Sequence, residues 1–224
     1  MFRKTPIAWL CAALFVSSVS YAATPDVVGV DSASEQRADA RPAVMPVLGV
    51  NDEDFPLEPM AFSEGDLWER IRRGFSIPEL SSSLVVRHAA SYAAHPEAFE
   101  RLGLRASRYL FYVVQELEKR GMPTELALLP VIESGFNPNA YSHAKAAGMW
   151  QFIPSTGLRY NLKQNAFRDE RRDVVASTNA ALNYLEQLHE MFGDWQLALA
   201  AYNWGEGSVR KAIVRARAAG KGTD

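Results

Sequence analysis

Glu133 closes the run Leu126-Ala127-Leu128-Leu129-Pro130-Val131-Ile132, which would be apolar on every side of a helix. Such a helix belongs in the interior. A carboxyl at its end loses the solvation that favours the charged form, so its pKa rises. A carboxyl that keeps its proton near neutral pH can hand it to a leaving oxygen, as acid-catalysed cleavage of a glycosidic bond requires. The same residue could instead be a buried glutamate paired with an arginine, because structural ion pairs also perturb pKa values. Most glycosidases need a second carboxylate. Asp169, Glu170 and Asp173 are candidates, but they stand among Arg168, Arg171 and Arg172, and surface ion pairs at a helix start account for them. The four histidines, at 88, 95, 143 and 189, show no metal-ligand spacing. No metal and no cofactor is implied.

Three further motifs bear on Glu133. Glu133-Ser134-Gly135-Phe136-Asn137-Pro138 leads into a loop that holds Ser142. Gly148-Met149-Trp150-Gln151-Phe152-Ile153-Pro154 follows, and Ala201-Tyr202-Asn203-Trp204-Gly205 comes later. In this order and spacing they resemble the lytic transglycosylase family with a goose-lysozyme-like (SLT) domain, and within it the membrane-bound D branch. The resemblance runs from about residue 80 to the C-terminus and is strongest over residues 123–209. It implies a mainly α, lysozyme-like helical domain whose partner is the glycan strand of peptidoglycan. Glu133 takes the role of general acid and then base. Ser142 orients that carboxyl near the substrate acetamido group. Gly148, Met149, Trp150 and Gln151 line the cleft beside the scissile bond. Tyr202 sets its hydroxyl over the glutamate, with Asn203 as support.

The implied reaction uses one carboxylate. The MurNAc 6-hydroxyl attacks its own anomeric carbon and leaves a 1,6-anhydro ring, with no water consumed. A lysozyme-like hydrolase and a non-catalytic wall-binding protein are the alternatives. The rings of Trp150 and Tyr202 are expected to face the cleft, and those of Trp195 and Trp204 to pack. Ser134 either touches the site or simply ends its helix, and His143 is a solvated loop residue. Lys145 stands where many relatives have glycine. Relatives also continue into a closing helix, and often into LysM repeats, so the domain is expected to be incomplete at Asp224.

These residues need helices to position them. Ser63 with Asp66 reads as a helix start, and Leu67, Trp68 and Ile71 share one face of the first helix. Pro78 opens a second helix running towards His95. Pro96 starts a third that ends at Gly121. Pro123 opens a fourth that carries the apolar run to Glu133. A short helix follows Pro154. Val174, Thr178, Leu182, Leu185, Leu188 and Phe192 recur every three or four residues, which predicts an amphipathic helix broken at Gly193. Residues 195–202 and 209–218 form the last two. No stretch alternates as a strand would.

The 224 residues are 48% hydrophobic and 22% charged, the balance of a globular domain, and a net charge of −2 gives no basic excess for nucleic acid. Arg3 and Lys4 precede an uncharged, mostly apolar stretch over residues 7–19, and Ser20-Tyr21-Ala22 then offers small residues. This reads as a secretory signal over residues 1–22, cleaved after Ala22, with an uncleaved membrane anchor as the alternative. The stretch is shorter than the ~20 residues of a spanning helix. The only cysteine, Cys11, follows Leu10 rather than a small residue, which gives a lipid anchor little support. The chain is thus expected in the periplasm or envelope of a Gram-negative bacterium. Residues 23–62, broken by five prolines, read as a flexible linker. Residues 63–120 form an N-terminal helical region and 121–224 the catalytic domain.

Overall fold

A computed structural model describes residues 64–80 and 82–221. The expected signal, linker and Ser63 cap lie outside the described residues. Nine α-helices follow one another among them: α1 (Glu64–Arg73), α2 (Ser83–Ala93), α3 (Pro96–Ala106), α4 (Leu110–Lys119), α5 (Leu129–Ser134), α6 (Pro154–Arg159), α7 (Val174–Phe192), α8 (Trp195–Trp204) and α9 (Glu206–Ala218). No strand forms in the described residues. The bridges Tyr141–Ala147 and Ala147–Phe152 fold the loop after α5, and Gln164–Asp169 folds a second.

The best-defined corner is α7–α8, and its caps explain it. The Asp173 carboxylate accepts from the Ala176 N–H at 2.7 Å to start α7. Gly193, with φ 70°, ends it in the left-handed conformation. One residue later Asp194 accepts from the Leu197 N–H at 2.8 Å and starts α8. Leu182, Leu185 and Leu188 of α7 are fully buried. They share one core with Val113, Val114 and Leu117 of α4, Ala198 and Ala201 of α8, and Ile71 of α1.

Three expected helices differ in extent. The run from Pro123 splits into a 3-10 turn, Thr124–Leu128, and α5. Pro130 has no N–H to bond the Leu126 carbonyl, so the Leu129 N–H takes that acceptor in 3-10 fashion and the α-helix restarts around the proline. The helix from Pro96 breaks at residues 107–109, where the Ser107 hydroxyl donates to the Leu104 carbonyl at 2.8 Å, a side-chain bond that competes with continuation. The second helix begins at Ser83 rather than Pro78, with the Ser82 hydroxyl accepting from the Val85 N–H.

The first helix is tied to the apolar run. Thr124 donates through Oγ1 to the Ile71 carbonyl at 2.5 Å. The buried Glu125 accepts the N–H groups of Ser76 (2.7 Å) and Ile77 (2.9 Å) on Oε1. Burial raises the Glu125 pKa against those two bonds. α1 therefore reaches the segment that positions Glu133.

Candidate active site

Glu133 sits in the last turn of α5. Gly135 (φ 60°) and Phe136 (φ 60°) are both left-handed and turn the chain sharply away. The Phe136 N–H returns to the Pro130 carbonyl at 3.0 Å. The carboxyl of the half-buried Glu133 has no hydrogen bond or ion pair among the described residues. Burial alone raises its carboxyl from the ordinary 4.5 to about 7. The alternative of a glutamate paired with an arginine therefore does not hold here.

Ser134 joins this turn to the next loop. Its hydroxyl donates to the Met149 carbonyl at 2.8 Å and accepts from the Asn137 N–H at 3.1 Å. The loop itself needs unusual backbone. Gly148 has φ 83°, and a Cβ there would lie 1.7 Å from the Arg171 carbonyl oxygen. Gln151 is left-handed at φ 50°, and its Nε2 donates back to the Gly148 carbonyl at 2.9 Å. Ser142 accepts the Ala146 N–H on its hydroxyl at 3.1 Å, which closes a turn across Lys145. Lys145 has φ 61°, the conformation for which glycine is best suited.

Tyr202 comes to this place from α8. Its hydroxyl donates to the Trp150 carbonyl at 2.8 Å. Its pKa is held well above 10, first by burial, then by the Glu133 charge and by Tyr184. Behind it the rings of Tyr184 and Tyr160 continue a row at centroid spacings of 5.3 and 5.0 Å. Tyr184 donates to Glu206 (3.4 Å), which also accepts from Arg159 at 3.1 Å.

The three other carboxylates are occupied. Asp169 is held by Arg171, which lowers its pKa. Glu170 accepts the Lys163 N–H and pairs with Arg168. Asp173 caps α7. Among the described residues no group of three or more His, Cys, Asp or Glu side chains could hold a metal ion.

A model of the transglycosylase SLT domain matches residues 112–223, and the D enzyme of Escherichia coli K12, named membrane-bound lytic murein transglycosylase D, is 47% identical over 162 residues. The chain belongs to the SLT domain family. Its aligned part covers 72% of this chain and 36% of that relative. A putative tributyltin chloride resistance protein from Alteromonas is 52% identical over 49% of this chain and 53% of its own. Membrane-bound lytic murein transglycosylase C of Glaesserella parasuis is 29% identical over 56% of this chain and 38% of its own. The chain thus spans a third to a half of the length of these relatives.

Two side chains of this SLT domain depart from the expected cleft. The Trp150 ring is fully buried, and its Nε1 donates to Thr178 Oγ1 at 3.0 Å. Met149 is 1% exposed. Both present carbonyls, not side chains, to their neighbours Tyr202 and Ser134. The two further tryptophans also divide. Trp195 stacks on His189 at 4.0 Å, as a packing residue does, whereas Trp204 is 49% exposed. Asn203 is exposed and makes no side-chain hydrogen bond to Tyr202. His143 is exposed on its loop.

Arg171 was not legible as a site residue. It is 5% exposed, and besides Asp169 it donates from Nη1 to the carbonyls of Lys145 (2.8 Å) and Phe152 (3.1 Å). It clamps both ends of the loop that carries residues 148–151. Among the described residues no helix is long and apolar enough to cross a membrane.

Proposed function

We propose that this SLT domain is a lytic transglycosylase that cleaves the MurNAc-β-1,4-GlcNAc bond of murein and leaves 1,6-anhydro-MurNAc ends. The observation that carries this reading is an unpaired carboxyl, raised to about 7 by burial, at the Glu-Ser turn of an SLT domain. Near neutral pH Glu133 holds a proton that it gives to the departing O4 of GlcNAc as the C1–O4 bond breaks. The resulting carboxylate takes the proton of the MurNAc 6-hydroxyl, and O6 closes on C1 with help from the 2-acetamido group. The glutamate ends as it began, and no water enters.

Supporting roles follow from position. The Tyr202 hydroxyl spends its proton on the Trp150 carbonyl, so it offers Glu133 a lone pair. Ser142 accepts from Ala146 and retains a proton to donate towards a sugar amide. Ser134 fixes the turn, and Gln151, Met149 and Trp150 shape the opposite loop. The relatives' names call them membrane-bound. With the secretory signal that residues 1–22 are expected to form, this favours an exported, envelope-located enzyme.

The test is mass spectrometry of fragments released from purified sacculi by the chain and by Glu133→Gln. Anhydro-muropeptides from the parent alone are expected. Reducing-end products would make it a hydrolase, and no products from folded protein would make it a wall-binding domain.

A further inference from the structure

Arg105, in the last turn of α3, packs against the turn that follows Glu133. A Cβ on Gly135 would lie 3.1 Å from its Nη2 and 3.7 Å from its Cζ, so the glycine both makes the turn and leaves room for the guanidinium. Nothing among the described residues pairs with this half-buried arginine, and its Nε is shut off from solvent without an acceptor.

Other arginines that leave solvent in this fold are engaged. Arg171 reaches one carboxylate and two carbonyls. Arg120 reaches Asn183, Asn179 and Glu186. Arg101, one helical turn before Arg105, is exposed and adds a second positive charge with no ion pair among the described residues.

A guanidinium keeps its charge at any physiological pH, and its planar fork matches a carboxylate. Withdrawing it part-way from water with no acceptor is unfavourable unless a ligand supplies one. Murein glycan carries such a group. Short peptides hang from the lactyl ether of MurNAc, and their free carboxylates are anionic at neutral pH. The amino sugars between them are uncharged.

We propose that Arg105 binds a carboxylate of the stem peptide next to the scissile bond, so that the domain selects peptide-bearing strands over bare glycan. This rests on the murein reading above. Arg101 supports the site through its charge. A strand lying across the Glu133 turn would bring its peptide to α3, and the N-terminal helices would then contribute to substrate choice.

The experiment is a binding titration with soluble glycan oligomers, either bearing stem peptides or stripped of them by an amidase, with the lactyl carboxyl that the amidase frees on each MurNAc then capped as a methylamide. The chain carries Glu133→Gln so that nothing is cleaved. The expected result is at least ten-fold tighter binding of peptide-bearing oligomers. Adding Arg105→Gln should collapse that preference to below two-fold, and Arg105→Lys, a point charge without the fork, should restore part of it. Thermal melts establish that each variant is folded. Equal affinity of the parent for both oligomers would overturn the proposal. So would an Arg105→Gln variant that loses affinity for both alike, which would mark Arg105 as a structural partner of the α5 C-terminus. Failure of the murein reading is visible separately, as an absence of cleavage products or of binding to either oligomer.

Discussion

Glu133→Gln should make the domain more stable while removing its proposed acid, and the effect should depend on pH. The carboxyl goes from 4.5 to about 7 on folding through burial alone. Between those values the unfolded chain gives up the proton and the folded chain keeps it. Stability is therefore fully present below pH 4.5, declines as pH rises through 7, and stays lowered above. At ~1.4 kcal/mol per pH unit the full shift corresponds to about 3 kcal/mol. The partial solvent access of Glu133 reduces this to about 2–3 kcal/mol. Glutamine has nearly the shape of the protonated acid and never ionises, so the variant escapes the loss.

A domain of this size changes its Tm by about 2–4 °C per kcal/mol. Glu133→Gln should thus melt roughly 5–10 °C above the parent at pH 8 and within a degree or two of it at pH 4. The assay is thermal unfolding followed by circular dichroism at both pH values and at pH 6. Glu125, also raised by burial, titrates in both proteins and cancels in the difference. A variant less stable than the parent at pH 8, or a difference that ignores pH, would mean that the Glu133 carboxylate is solvated or paired. The basis for its role as an acid would then be gone.

Three other outcomes are expected. The kcat/KM of cleavage should fall about ten-fold per pH unit above pH ~7, because the acid must carry its proton in the free enzyme; a rate that stays level to pH 9 would exclude Glu133 as the donor. Gly148→Ala drives a Cβ into the Arg171 carbonyl at φ 83°, and should cost about 3 kcal/mol or more in urea unfolding; a change under 1 kcal/mol would contradict the loop geometry. Lys145→Gly removes a left-handed lysine and should gain up to about 1 kcal/mol, since the relief of ~1–2 kcal/mol exceeds the added chain entropy. A lower urea midpoint for that variant would refute the strain.

Local signals made α7 readable, because apolar periodicity and the break at Gly193 agree, whereas the aspartate caps of α7 and α8 emerge only in the structure. Glu133 was readable for a similar reason: a carboxylate after seven apolar residues is conspicuous. The orientation of Trp150 was not. Motif position brings it near the site, but the left-handed residues at 148 and 151 turn its carbonyl outward and its ring inward, towards Thr178, 28 positions away. Arg171 was hidden for another reason. Its partners are mostly backbone carbonyls at 145 and 152, and any residue type supplies a carbonyl. A cluster of charges at a helix start looks the same whether one member is buried or all are solvated.

Pro130 connects sequence to chemistry more directly than its place in an apolar run suggests. By breaking the helix it sets the start of α5 at Leu129, and the left-handed Gly135 ends it at Ser134, so that Glu133 stands one residue from the end. The carbonyl end of a helix carries partial negative charge, which disfavours a second negative charge nearby. The effect acts in the same direction as burial, and no cation among the described residues pairs with the carboxyl. Met149 uses one more carbonyl to hold the turn through Ser134, so its oxygen also faces the carboxyl's end of α5. Gly135 then removes the chain before another turn could cover the acid. The proline, the serine and the glycine together leave the carboxyl half-buried at a helix end, with burial raising its pKa.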